Sequence, residues 1–351
     1  MIRQFLKSKR VLSTSLALLL GAAGSASVSA DYTQHPLAEA FVERMVTEHK
    51  YDRDTVIKLL AEAKKQQSIL DAISRPAEKS KQWHEYRKIF LGEKRIQQGV
   101  DFWLENRDTI ARASEKFGVA PEIIVAIIGV ETRYGRHAGR YRVLDALATL
   151  GFDYPKRAKF FRKELEHYLL LVKEQNQDPL ALKGSYAGAM GYGQFISSSY
   201  RHYAVDFDGD DVADIWNNPV DAIGSVANYF NAHRWKTGKP VVARAKIAEG
   251  YDAEILNSRA KPALTLKEVK QKGFTLAAPV ADIAADDVEK VLPLLYHGEK
   301  GKEFWLGFDN FYVITRYNRS RLYAMAVWQL SQEISGRYAK QSAAKTSAKG
   351  S

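Results

Sequence analysis

The sequence predicts a mainly α fold of the α+β class, a helical body that carries one small β-containing insertion. Three observations lead there. Residues 37–49, 54–70, 101–117, 157–175, 220–235 and 321–334 repeat apolar side chains at three- and four-residue spacing, the mark of helices with one buried face. Between residues 236 and 309 the pattern changes to short runs rich in Val and aromatics, at 240–245 and 274–279, with another at 311–317, which suit strands. The chain has no cysteine, so neither a disulfide framework nor a thiolate metal site organises the fold, and a cysteine nucleophile is excluded.

Residues 1–30 read as a secretory leader rather than as part of the fold. Arg3, Lys7, Lys9 and Arg10 make a positive start, an apolar stretch follows, and Val28-Ser29-Ala30 has the small-x-small pattern of a cleavage site. The apolar stretch is too short for a spanning helix. The expected location is therefore the periplasm. The missing cysteine also removes the acceptor for lipidation, so the protein is expected to be soluble and without a lipid or transmembrane anchor. Taking the four leader cations from the formal net charge of +11 leaves a mature charge of about +7. That balance suits an anionic polymer as partner. Nucleic acid is not expected, because an exported chain rarely meets it and no Lys/Arg run interleaved with aromatics is present.

The helices follow in order, and Gly118 closes the third where a helix stop belongs. Residues 123–130 then carry no polar side chain at all. Their β-branched content would fit a buried strand, but Pro121 just after Gly118 and the helical surroundings favour a wholly buried helix. Glu131 closes this apolar run. A surface ion pair with Arg133 is the ordinary reading of such a glutamate. The apolar neighbours favour desolvation instead, which moves a carboxyl towards the range of a general acid.

Two further segments carry chemistry. In Gly184-Ser-Tyr-Ala-Gly-Ala-Met-Gly-Tyr-Gly-Gln-Phe195 the glycines permit close backbone approach, while Tyr186, Tyr192 and Gln194 offer stacking and hydrogen bonds. No Gly-Lys-Ser/Thr follows, so this is not a phosphate loop. From Asp206 the carboxylates of Asp206, Asp208, Asp210 and Asp214 fall at positions 1, 3, 5 and 9 of a calcium loop, with the Val212 carbonyl at position 7. Position 6 is Asp211 instead of Gly, and position 12 is Asn217 instead of Glu. Alternating acids at this density favour a bound cation over a solvated loop. The next carboxylate, Asp221, also reads as an acid in the first turn of a helix that begins at Pro219. The tail after Tyr338, poor in large apolar residues, is expected to be disordered.

Together these segments resemble the B-type lytic murein transglycosylases over nearly all the chain beyond the leader. The resemblance maps the catalytic acid onto Glu131. It points to Ser185 and Gln194, with Tyr192 beside them, as groove residues, and to Tyr229, Tyr317, Asn318 and Tyr323 as the cleft wall. The Asp-rich segment is similar to the family's atypical calcium loop, in which Asp221 takes the place that Asn217 leaves vacant. The implied metal set is Asp206, Asp208, Asp210, Val212 and Asp221, a structural calcium, with no cofactor for the chemistry. The implied fold is a lysozyme-like core. Its expected divisions are a leader at 1–30, an N-terminal helical subdomain at 31–110, the core with its loop at 111–235, a small β insertion at 236–309, a return to the core at 310–337 and the basic tail at 338–351.

The implied reaction cuts the β-1,4 bond between N-acetylmuramic acid and N-acetylglucosamine. The muramic acid's own 6-hydroxyl is the acceptor, and a 1,6-anhydro end results. One carboxylate suffices, first as acid and then as base, whereas a hydrolase ordinarily needs a second across the cleft. The rival expectations are a lysozyme-like muramidase and a non-catalytic, calcium-stabilised wall-binding protein. The partner implied is the peptidoglycan strand, and other cell-wall enzymes are the class of protein partner left open.

Overall fold

The computed structural model describes residues 32–74, 81–281, 283 and 288–349, with side chains as far as residue 343. The expected leader lies outside these residues. Helices dominate: α1 (Ala38–His49), α2 (Arg53–Glu62), α3 (Gln67–Ser74), α4 (Trp83–Phe90), α5 (Glu93–Glu105), α6 (Arg107–Phe117) and α7 (Pro121–Thr132) come first. A two-stranded ribbon of β1 (Tyr141–Arg142) and β2 (Lys183–Gly184) brackets α8 (Val143–Asp153) and α9 (Ala158–Glu174). Then follow α10 (Ser197–Tyr203) and α11 (Pro219–Ala232).

The insertion holds β3 (Val242–Ile247), β4 (Leu264–Thr265), α12 (Leu266–Gln271), β5 (Phe274–Leu276), β6 (Lys290–Gly298) and β7 (Gly301–Gly307). Its strands form an antiparallel sheet in the order β4-β6-β7-β3-β5. The β6–β7 hairpin closes on the pair Gly298 and Gly301, where Gly301 takes φ 112°, open to glycine alone at no steric cost. Leu266, Val269, Phe274, Val291, Leu306 and Phe308 give this sheet a small core of its own. The chain then returns to the body as α13 (Asp309–Tyr317) and α14 (Arg321–Lys349).

The apolar run is a helix, and its position explains its composition. Residues 123–130 of α7 are all buried, because α5, α6, α11 and α14 pack around it and leave no solvent face. Each Ile or Val fully buried there contributes roughly 1.5–3 kcal/mol.

Four expectations need correction. The segment 54–70 is two helices, since residues 63–66 leave the helical path. Asp145 Oδ1 accepts from the Lys64 backbone N–H at 2.9 Å and Thr149 Oγ1 from that of Gln66 at 3.0 Å, so side chains of α8 replace the helical partners. Segment 101–117 divides at Asn106, which caps both α5 and α6. Residues 311–317 form helix rather than strand. Phe311, Val313, Ile314 and Thr315 are buried in that helix, and a short aromatic and β-branched run does not by itself distinguish the two states. The tail expected to be disordered continues α14 to Lys349. Tyr338 stacks on Trp103 at 4.2 Å, and Gln341 bonds Gln97. Extending an existing helix needs no new nucleus, and the Ala, Lys and Gln of this tail are good helix formers.

Candidate active site

Glu131 occupies the last turn of α7. Beyond it the chain bends sharply through Arg133, Tyr134 and Gly135, with φ of 53°, 61° and 81°. Two consecutive non-glycine residues in the left-handed region are costly, and they persist only where their surroundings hold them. Tyr134 is held by a notch: a Cβ on Gly99 or Gly129 would sit 2.4 or 2.5 Å from its hydroxyl oxygen. That hydroxyl donates to the Arg95 carbonyl at 3.1 Å. The Arg95 guanidinium in turn donates to the carbonyls of Gly129 at 2.9 Å and Val130 at 3.4 Å, satisfying the end of α7 beside Glu131. Arg95, Gly99 and Tyr134 are supports that the sequence reading missed. Gly129, the one residue without a side chain in an otherwise bulky run, was the available signal.

Thr132 ties this helix end to the glycine-rich segment. Its hydroxyl donates to the Tyr192 carbonyl at 2.9 Å and accepts from the Gly135 N–H at 3.0 Å. Gly191 runs close to the next loop, and a Cβ there would lie 2.4 Å from the Ile215 carbonyl oxygen. Gln194, at φ 52°, donates through Nε2 to the carbonyls of Ala138 and Gly191, both at 3.0 Å. It therefore clamps the glycine-rich segment to the bend after Glu131.

The opposite wall comes from α11, α13 and α14. The Tyr323 hydroxyl donates to Glu131 Oε1 at 2.6 Å. Tyr317 donates to the Gly193 carbonyl, and Tyr229 to the Arg316 carbonyl at 2.7 Å. Tyr317 and Tyr229 meet edge to face at 4.6 Å. Burial pushes both Tyr317 and Tyr323 well above the ordinary phenol range, and the charge of Glu131 acts the same way. Both remain protonated donors.

The remaining candidates sit differently. The Tyr192 ring lies against Gly135 and borders a separate cavity of about 430 Å³ with Phe102 and Arg136. The Ser185 hydroxyl accepts from the Ala187 and Ala189 N–H groups, at 3.3 and 3.1 Å, and so shapes its own turn. The Asn318 side-chain carbonyl accepts from the Ser320 N–H at 3.1 Å in the α13–α14 connection.

The acidic loop converges on one point. Carboxylate oxygens of Asp206, Asp208, Asp210 and Asp221 all lie within 4.8 Å of one another. Asp211 at position 6 adopts φ 70°, the conformation that glycine ordinarily supplies there. Asp221 is fully buried, and its two oxygens accept from the Phe207 N–H at 2.7 Å and the Asp214 N–H at 2.8 Å. Burial pushes its carboxyl upward. Those backbone bonds oppose the rise, and the charges of Asp208 and Asp206 add to it. Hard oxygen donors at this density fit a divalent cation such as calcium. Asp214 instead accepts from the N–H groups of Trp216 and Asn217, and Val212 donates its N–H to Asp210.

Comparison with known proteins agrees with this arrangement. Residues 33–332 match the Transglycosylase SLT domain. The chain is 44% identical over 322 residues to the membrane-bound lytic murein transglycosylase B of Escherichia coli (strain K12), covering 87% of this chain and 84% of that protein. The crystal structure of catenated lytic transglycosylase SltB1 from Pseudomonas aeruginosa superposes with a TM-score of 0.83 at 51% identity, covering 88% of this chain and all of that one. The Escherichia coli lytic transglycosylase Slt35, solved in complex with calcium, gives a TM-score of 0.78 at 42% identity, with 89% and 96% covered. The helical core is thus lysozyme-like, as in these relatives. Among the described residues, no helix is long and apolar enough to cross a membrane. The chain belongs to the transglycosylase SLT family.

Proposed function

We propose that this protein is a periplasmic lytic transglycosylase that cuts peptidoglycan strands between N-acetylmuramic acid and N-acetylglucosamine, with Glu131 as both acid and base. The observation that carries the proposal is the 2.6 Å bond from the Tyr323 hydroxyl to Glu131 Oε1, just after the fully buried residues 123–130 of α7. In this reading the bond orients the carboxyl and leaves Oε2 to carry the transferable proton. That proton passes to the departing glycosidic oxygen as the C1–O4 bond breaks. The carboxylate then takes the proton of the muramic acid 6-hydroxyl as its oxygen closes on C1, so no water is consumed and the proton count balances. The tethered hydroxyl outcompetes bulk water through its high effective concentration. The substrate's 2-acetamido group stabilises the oxocarbenium-like centre, as in substrate-assisted glycosidases.

In this reading Gln194, Tyr192 and Ser185 shape the glycine-rich side of the groove, while Tyr229, Tyr317, Asn318 and Tyr323 shape the other. The leader-like composition of residues 1–30 supports export. Muropeptides released by the pure protein are expected to carry 1,6-anhydromuramic ends and no new reducing ends, measured by mass spectrometry with and without borohydride reduction. Mostly reducible termini would make the protein a muramidase and overturn the single-carboxylate mechanism. Intact sacculi would make it a binding protein.

Calcium belongs to the same proposal as a structural ion held by Asp206, Asp208, Asp210, the Val212 carbonyl and Asp221. It would neutralise the carboxylates and pin the loop against the start of α11, and it plays no part in the proton transfers. The melting temperature is expected to rise with free calcium, as for any ligand that binds only the folded state. The double variant Asp206→Ala, Asp210→Ala should abolish that rise. Identical melting in calcium and in chelator would leave the loop without a metal role.

A further inference from the structure

We propose that the cavity between α4, the end of β6 and the α13–α14 turn seats the acidic stem peptide of the substrate. This assignment rests on the transglycosylase reading. The cavity has a volume of about 610 Å³, and Lys81, His297, Arg316, Arg319 and Arg321 line it. No Asp or Glu is among its described lining residues. None of these Lys and Arg side chains makes an ion pair among the described residues. Arg321 donates to the Arg259 carbonyl at 2.8 Å, which keeps its charge at the rim without neutralising it. Four cations with no ion pair among the described residues, set around a concavity, focus a positive potential into it, whereas the same cations scattered over a convex surface would each be solvated alone.

The cavity's position matches its charge. Arg316 immediately precedes Tyr317, and Arg321 and Leu322 immediately precede Tyr323. The turn that brings phenols to Glu131 therefore also supplies one wall of the cationic cavity. The glycan backbone of peptidoglycan is neutral, because its amino groups are acetylated and its lactyl carboxyl is tied up in an amide. Every carboxylate of the strand belongs to the peptide that leaves the muramic acid. A cavity lined by cations, with no acid among its described lining residues, is complementary to that peptide and indifferent to the sugars.

The test uses the full protein carrying Lys81→Gln together with Arg319→Gln. Both side chains are exposed, and neither makes a hydrogen bond among the described residues. Two substrates are compared, peptide-bearing strands and strands stripped of peptide by an amidase, with the freed lactyl carboxyl of the latter then capped as a methyl amide. With two exposed cations removed, kcat/KM on peptide-bearing strands should fall about three- to tenfold, through KM rather than kcat. Cleavage of the naked strands should not change. Added salt should erase the difference between wild type and variant. An equal loss on both substrates, or no loss on the peptide-bearing one, overturns the proposal. So does a loss confined to sedimentation with anionic phospholipid vesicles, which would make the cavity a lipid headgroup site. A wild-type protein that cleaves neither substrate would instead overturn the transglycosylase reading itself.

Discussion

Glu131→Gln is expected to cut the rate of sacculus solubilisation by about 10²–10⁴-fold, the usual cost of losing a general acid. The amide matches the carboxyl in size, and its oxygen still accepts from the Tyr323 hydroxyl, so the end of α7 has no reason to move. Binding to sacculi and the melting temperature should both stay near wild type. What disappears is the transferable proton on the oxygen turned to the glycosidic bond. Turbidity clearance, read beside a pull-down with intact sacculi, separates these effects. Clearance within about tenfold of wild type would remove Glu131 from the chemistry, since a positioned acid contributes far more than that.

The largest stability effect is expected at Asp221. It is fully buried, and each of its oxygens accepts a backbone N–H, from Phe207 and from Asp214. Asp221→Ala leaves both donors without acceptors, at about 1–3 kcal/mol each. In chelator the variant should therefore unfold at lower denaturant than wild type, by about 2–6 kcal/mol. In calcium the gap should widen, because wild type alone gains the full binding energy. The chelator arm isolates the hydrogen bonds and the calcium arm adds the ion. Equal stability of variant and wild type in both arms would mean that Asp221 neither pins the loop nor binds the ion.

Several features were legible because they are local. The wholly apolar run at residues 123–130 could only be core. The alternation of acids from Asp206 predicted a cation-binding loop, to which the family resemblance added Asp221, and the carboxylates of Asp206, Asp208, Asp210 and Asp221 come together. The clustered glycines between Gly184 and Gly193 predicted close backbone approach, and Gly191 against Ile215 is an instance. Each of these follows from desolvation, charge repulsion or steric demand within a short stretch of chain.

Other features depended on partners far along the chain. Nothing within residues 54–70 announces a break. It arises because Asp145 and Thr149 of α8 offer acceptors at the right place. The run at 311–317 has the composition of a strand, and packing made it a helix. Tyr323 meets Glu131 across 192 residues. The sequence by itself determined the helical class, the buried segment that ends in the glutamate, and the acidic loop, because periodicity and burial act over neighbouring residues. Only the tertiary structure decided that a phenol would orient that glutamate, that Arg95 would cap its helix, and that four cations would ring one cavity. Such contacts form between segments whose separate patterns carry no record of each other.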